Sequence, residues 1–216
     1  MMRTTFAARE FTEQPVSDET IAKILEEARF APSGGNRQGW HVLVVREDAS
    51  RAVLRDLIAP QMQRYVAQVK AGEAPLNTIT PSRISAEQIA QTQVPQTMLD
   101  NLTGAPVILL VFVDLSVVAS FDRHLNRVGV ISGASIYPFV WNILLAARNE
   151  GLGGTLTTFA AGAEEEVKAH FSVPSEMALA AMIPMGQPVK QLTKLTRKPV
   201  ADFVRKEHWN GETLID

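Results

Sequence analysis

Two loops nearly free of bulky side chains, PSGGN at 32–36 and GLGGTLTT at 151–158, offer chemistry through their backbone. Amide N–H groups in such loops can donate to an anion or to a row of heteroatoms. Arg9 and Arg197 are the cations that complete this set. Taken singly, each loop also reads as a proline stop or a glycine turn, and each arginine as a surface ion-pair partner. Other chemistries find no support. The four histidines (His41, His124, His170, His208) are scattered, with no pair at ligand spacing, so no metal site is expected. Cysteine is absent, which excludes disulfides, thiolate catalysis and iron–sulfur clusters and fits a reducing cytoplasm. There is no G-x-S-x-G elbow and no Walker loop, and GLGG does not complete a G-x-G-x-x-G fingerprint. A nicotinamide cofactor held in a Rossmann fold is therefore not indicated.

The elements that must carry these loops follow from local pattern. Ser17 and Asp18 can cap a helix whose apolar face is Ile21, Ile24, Leu25 and Ala28, with Pro32 as its stop. HVLVV (41–45) predicts a strand, and a helical region over about 49–69 is expected to break at Pro60. Residues 71–104 carry Pro75, Pro81 and Pro95 and weak periodicity, as a lid-like excursion would. APVILLVFVDL (105–115) is a strand buried on both faces, and ALAAMIPMG (178–186) another; EEEVKAHF (164–171) is a short helix.

Val128 to Ala147 contains no charged residue and is long enough to span a bilayer. Ser132, Ser135, Pro138 and Asn142 within it favour a buried or interface helix instead. Gly129 and Gly133 give it a G-x-x-x-G pair, readable as a close helix contact across a dimer or simply as two glycines near a helix start. Phe203 and Trp209 in the polar tail 187–216 predict docking on another surface. With 216 residues, 46% hydrophobic and 20% charged, the chain suits one globular domain, 1–216. A net charge of −2 advertises no face for nucleic acid or an anionic membrane. Few strands interleaved with long helices predict an α+β or mixed α/β sandwich with a small sheet.

Arg9 to Trp40 reads R-x-F…P-V…I…I-L-E-x-A-R-x-A-P-S-x-x-N-x-Q-x-W, followed by NILLAARNEGLG (142–153) and RKP (197–199). In this order these segments resemble the flavin-dependent nitroreductase family, leaving 60–127 without a matched motif. The resemblance implies a three-layer α+β sandwich, a small mainly antiparallel sheet flanked by helices, assembled as an intertwined homodimer. It also implies FMN bound between subunits, with the tail reaching over the partner.

Carried onto this sequence, the resemblance assigns Pro32, Ser33, Gly34 and Asn36 to the isoalloxazine edge. It places Gly154, Thr155, Leu156 and Thr157 near N5, and Arg9 and Arg197 at the phosphate. The family's usual R-x-S before R-x-F is replaced by Thr5, Phe6 and Ala7, and Arg3, Thr4 or Lys198 are candidate substitutes. The implied reaction takes hydride from NAD(P)H to flavin N5 and on to a small electron-poor acceptor, with no side chain required as acid or base. Reductive dehalogenation, enoate or quinone reduction and flavin cleavage are alternatives within the family. A non-catalytic FMN-binding protein and a flavin-free structural dimer are alternatives outside it. The 60–127 stretch is expected to cover the open flavin face, with Tyr65, Phe121 or His124 as stacking or proton-donating candidates, each also readable as packing or surface.

Overall fold

Apolar residues at every position of 107–113 leave that strand no face for water, so it must lie at the centre of a sheet with cover on both sides. The computed structural model, which describes residues 1–215, has this arrangement. Strands β1 (Trp40–Val45), β2 (Val107–Asp114), β3 (Gly153–Gly154) and β4 (Met177–Gly186) form one sheet in the order β1-β2-β4-β3, every neighbouring pair antiparallel. Side chains of β2 alternate. Val107, Leu109, Val111 and Val113 join α1 (Asp18–Ala28) and α5 (Tyr137–Asn149) in one core layer. Ile108, Leu110 and Phe112 join α2 (Asp48–Lys70), α4 (Gln96–Thr103) and α6 (Glu164–His170) in the other. A short helix, α3 (Ala86–Ala90), lies between α2 and α4 in sequence. The fold is thus an α+β sandwich, as its sequence pattern predicts.

Local signals set several boundaries. Ser17 Oγ accepts from the Thr20 N–H at 3.2 Å, satisfying one of the free donors at the start of α1. Two expectations are corrected. Pro60 does not interrupt α2, which runs unbroken to Lys70. Pro60 and Asp56 are both exposed, so the carbonyl freed by the missing N–H faces water, while Leu54, Ile58, Met62 and Val66 hold the other face in the core.

The uncharged stretch 128–147 is not one helix either. Residues 131–135 form a 3₁₀ turn and α5 begins only at Tyr137, with Pro138 in its first turn, where a missing N–H costs nothing. Upstream, the amides of Val130 and Ile131 donate to the Asp122 carboxylate and are lost to any helix. Gly129 and Gly133 therefore lie outside α5 and make no helical G-x-x-x-G face. Among the described residues, no helix is long and apolar enough to cross a membrane.

The stretch 60–127 holds two kinds of structure. It includes β2 at the sheet centre and Leu99 and Leu102 in the core, and also the largely exposed loop 71–84. That loop is ordered about Glu73, whose carboxylate accepts from Ser82 Oγ (2.7 Å) and the Arg83 N–H (2.8 Å). The Ser82 hydroxyl, then the Arg83 amide and Gln68, hold its pKa below the usual range.

Candidate functional site

The N-terminal segment brings Arg9 to the β3 edge of the sheet. Ala7 bridges Gly154, the Ala8 N–H donates to Gly154 O at 3.1 Å, and Thr12 N–H donates to Gln187 O at 2.9 Å. This close approach needs a glycine at 153, where a Cβ would stand 2.8 Å from that of Ala8. Beyond β3 the chain stays paired with β4. The Thr155 N–H donates to Pro184 O (3.3 Å), and Thr157 and Met182 exchange two bonds (3.0 and 2.9 Å). Alternation turns the Leu156 N–H outward. The amides of Thr155 and Thr157 are thus committed to the sheet, which leaves the Leu156 amide as the one in 155–157 not paired to β4.

A cleft of about 280 Å³ opens here, lined by Arg9, residues 155–159, Met62 and Tyr65 of α2, and Met98, Asn101 and Leu102 of α4. Among the described residues, Arg9 is the one charged residue that lines it, and no carboxylate does. The Arg9 guanidinium donates to Ala7 O at 3.2 Å and is otherwise exposed. Thr5, at the position of the missing motif, is buried, with its hydroxyl donating to Met1 O. Arg3, Thr4 and Lys198 do not line the cleft. Met62, Met98, Asn101, Leu102 and Phe159 are not among the candidates read from the sequence. Met98, Asn101 and Leu102 do share a helical face at i, i+3 and i+4, but nothing local says which cavity that face meets.

Pro32, Ser33, Gly34 and Asn36 lie elsewhere. Residues 34–36 form a tight turn in which Gly35 and Asn36 have φ of 61° and 52°. Here too most amides are engaged: Gly34 N–H donates to Ser135 Oγ (3.1 Å), Asn36 N–H to Ser33 O (2.9 Å) and Gln38 N–H to Ser33 Oγ (2.9 Å). The turn leads into Trp40, whose ring stacks on Phe139 with centroids 4.7 Å apart.

Register separates the two groups. Trp40 opposes Val113, which opposes Ala178, whereas Gly154 opposes Met185. They lie at opposite edges of the sheet and at opposite ends of β4, separated by roughly 23 Å along that strand alone. Within one chain, Arg9 and 154–157 come together and 32–36 do not join them. Arg197 lies in the exposed tail, its guanidinium donating to Thr196 O, and does not line the Arg9 cleft.

Residues 2–187 match the Nitroreductase family. The chain belongs to that family. The match runs through 60–127, where no motif stands out by eye. This nitroreductase-family chain is 28% identical to a 5,6-dimethylbenzimidazole synthase of Rhodospirillum rubrum, over 83% of this chain and 76% of that protein. It is 24% identical to a nitrobenzene nitroreductase of Ectopseudomonas oleovorans, over 86% and 84%. Its fold is shared by an iodotyrosine deiodinase solved with FMN and 3-iodo-L-tyrosine, with a TM-score of 0.68 at 23% identity over 96% and 97% of the chains.

Proposed function

We propose that this chain is an FMN-dependent oxidoreductase, moving hydride from NAD(P)H to an electron-poor small molecule such as a nitroaromatic or quinone. It works as a homodimer in which each flavin lies between two protomers. The observation that carries this reading is the separation of Arg9 and 154–157 from 32–36 across the sheet. Each chain holds two halves of a site, and a second copy joins the halves.

The donor set of the Arg9 cleft fits FMN. A guanidinium with no carboxylate beside it among the described residues suits a phosphate near two negative charges. The hydroxyls of Thr155, Thr157 and Thr158 suit a polyol, and Met62, Met98, Leu102 and Phe159 exclude water from a flat ring. The chemistry supplied by bound FMN is hydride acceptance and release at N5. Arg9 would hold the phosphate, and Arg197 would add a second cation if the tail carried it in. The Leu156 amide and the 32–36 loop of a partner protomer would supply donors to the flavin ring. Donors placed there favour the electron-rich ring, as preorganised dipoles do at any site of developing negative charge.

The visible absorption spectrum of the purified protein, followed by anaerobic addition of NADPH or NADH, tests this. A flavin spectrum that bleaches supports the oxidoreductase. A flavin that stays oxidised overturns the nicotinamide step, and a colourless protein that takes up no FMN overturns the whole reading. Similarity to iodotyrosine deiodinase over nearly the full chain favours reductive dehalogenation as the second reading of the same site. Iodide release from a dithionite-reduced sample given an iodophenol would select it.

A further inference from the structure

Asp122 is a buried carboxylate, 4% exposed, for which hydride transfer has no use. Its Oδ2 accepts from the Val130 N–H (2.7 Å), Arg127 Nη1 (2.8 Å) and the Ile131 N–H (3.4 Å), and its Oδ1 from Ser120 Oγ (3.1 Å). The surrounding loop, 121–130, is otherwise exposed, with Phe121, Leu125, Val128 and Val130 open to solvent. Within one chain, apolar packing therefore does not hold the loop in place. The carboxylate does. The amides it fixes open the 131–135 turn, and the last residue of that turn, Ser135, accepts the Gly34 N–H at 3.1 Å. A continuous path of polar contacts and tight backbone thus runs from Asp122 to the 32–36 loop.

We propose that Asp122 is a positioning residue: by anchoring the start of the 131–135 turn it sets, through Ser135, the placement of the 32–36 loop toward the flavin edge. The proposal rests on the reading above, in which that loop meets the isoalloxazine. Asp122 touches neither flavin nor substrate and acts only through Ser135 and Gly34. The Val130 amide, with Arg127, Ser120 and Ile131, holds its pKa down to about 2, in keeping with an anchor that stays ionised.

Hydrogen exchange on the cofactor-free protein tests the path without any flavin. D122N and S135A are each expected to speed exchange of the Gly34 amide about tenfold while leaving Leu109 in the central strand unchanged. The double variant should be no faster than either single one, because the two residues act in series. Unchanged Gly34 exchange in D122N, or additive effects in the double variant, overturns the proposal. In the FMN-loaded protein, both variants should shift the flavin reduction potential and visible absorption maximum in the same direction. Loaded variants with wild-type potential and spectrum also overturn it. If the wild-type protein takes up no FMN, the functional reading fails and this proposal, which rests on it, fails with it. Flavin uptake with unchanged Gly34 exchange overturns the proposal alone.

Discussion

Arg9 is the residue on which cofactor affinity should turn, because among the described residues no other charge lines its cleft. Replacing it by alanine removes charge-assisted contacts of about 1.5–3 kcal/mol, so R9A should weaken FMN binding by roughly 10- to 150-fold in a fluorescence titration. R9A combined with R197A should weaken it further. An unchanged dissociation constant would mean that the phosphate is held elsewhere. Asp122 makes a prediction of a different kind. Its carboxyl titrates near 2 when folded, below an ordinary aspartate, because the Val130 amide and then Arg127 and its other donors favour the charged form. The folded state then binds fewer protons than the unfolded one as pH falls below about 4. The stabilisation is complete above that pH and is lost as pH falls toward 2. Melting temperature measured across pH 2–6 should show a shallower acid limb in D122N than in the wild type.

Among the elements, α2 shows how packing overrides a local rule. Its buried residues continue at i, i+4 across Pro60, and the proline sits on the wet face. P60A should restore a backbone hydrogen bond there and raise stability by up to about 3 kcal/mol in urea denaturation. No gain would indicate that the Asp56 carbonyl already has a good partner. I58A tests the opposite face. It truncates a fully buried side chain between α2 and the sheet and should cost about 2–5 kcal/mol.

At the scale of the molecule, the proposed function requires a second copy to join the separated groups. The tail begins on the N-terminal segment, with Val189 N–H donating to Glu10 O at 3.1 Å and Gln191 Nε2 to Thr4 O at 3.2 Å, and is mostly exposed beyond. Farther on, Arg205 bridges Thr213, and this small turn carries Trp209 at 99% exposure, with Phe203 at 66% nearby. Large aromatics so exposed fit an interface anchor. The F203A/W209A double variant should shift the protein toward monomer in light scattering and weaken FMN binding with it. Complementation tests the shared site directly. R9A and G35V each damage one half-site, the second by placing a β-branched residue at a φ of 61°. Mixed dimers of the two should regain one intact site, and with it half the flavin of a wild-type dimer. No regain would mean that both halves of a site come from the same chain.

The sequence by itself determined what short-range physics controls. Ser17 caps α1, the apolar runs at 107–113 and 178–186 become buried strands, and the 32–36 and 151–158 loops stand out because they are poor in bulky side chains. It misplaced the start of α5 because the competitor for those amides is Asp122, a side chain outside the helix pattern, and it misread Pro60 because exposure is a tertiary property. The relation between the two loops was decided only by the tertiary structure. Strand order and register place them on opposite edges of the sheet, and no local pattern of residues encodes which edge a strand occupies. Backbone pairing likewise decided which amides are free, since a loop residue paired to β4 has no donor left for a ligand.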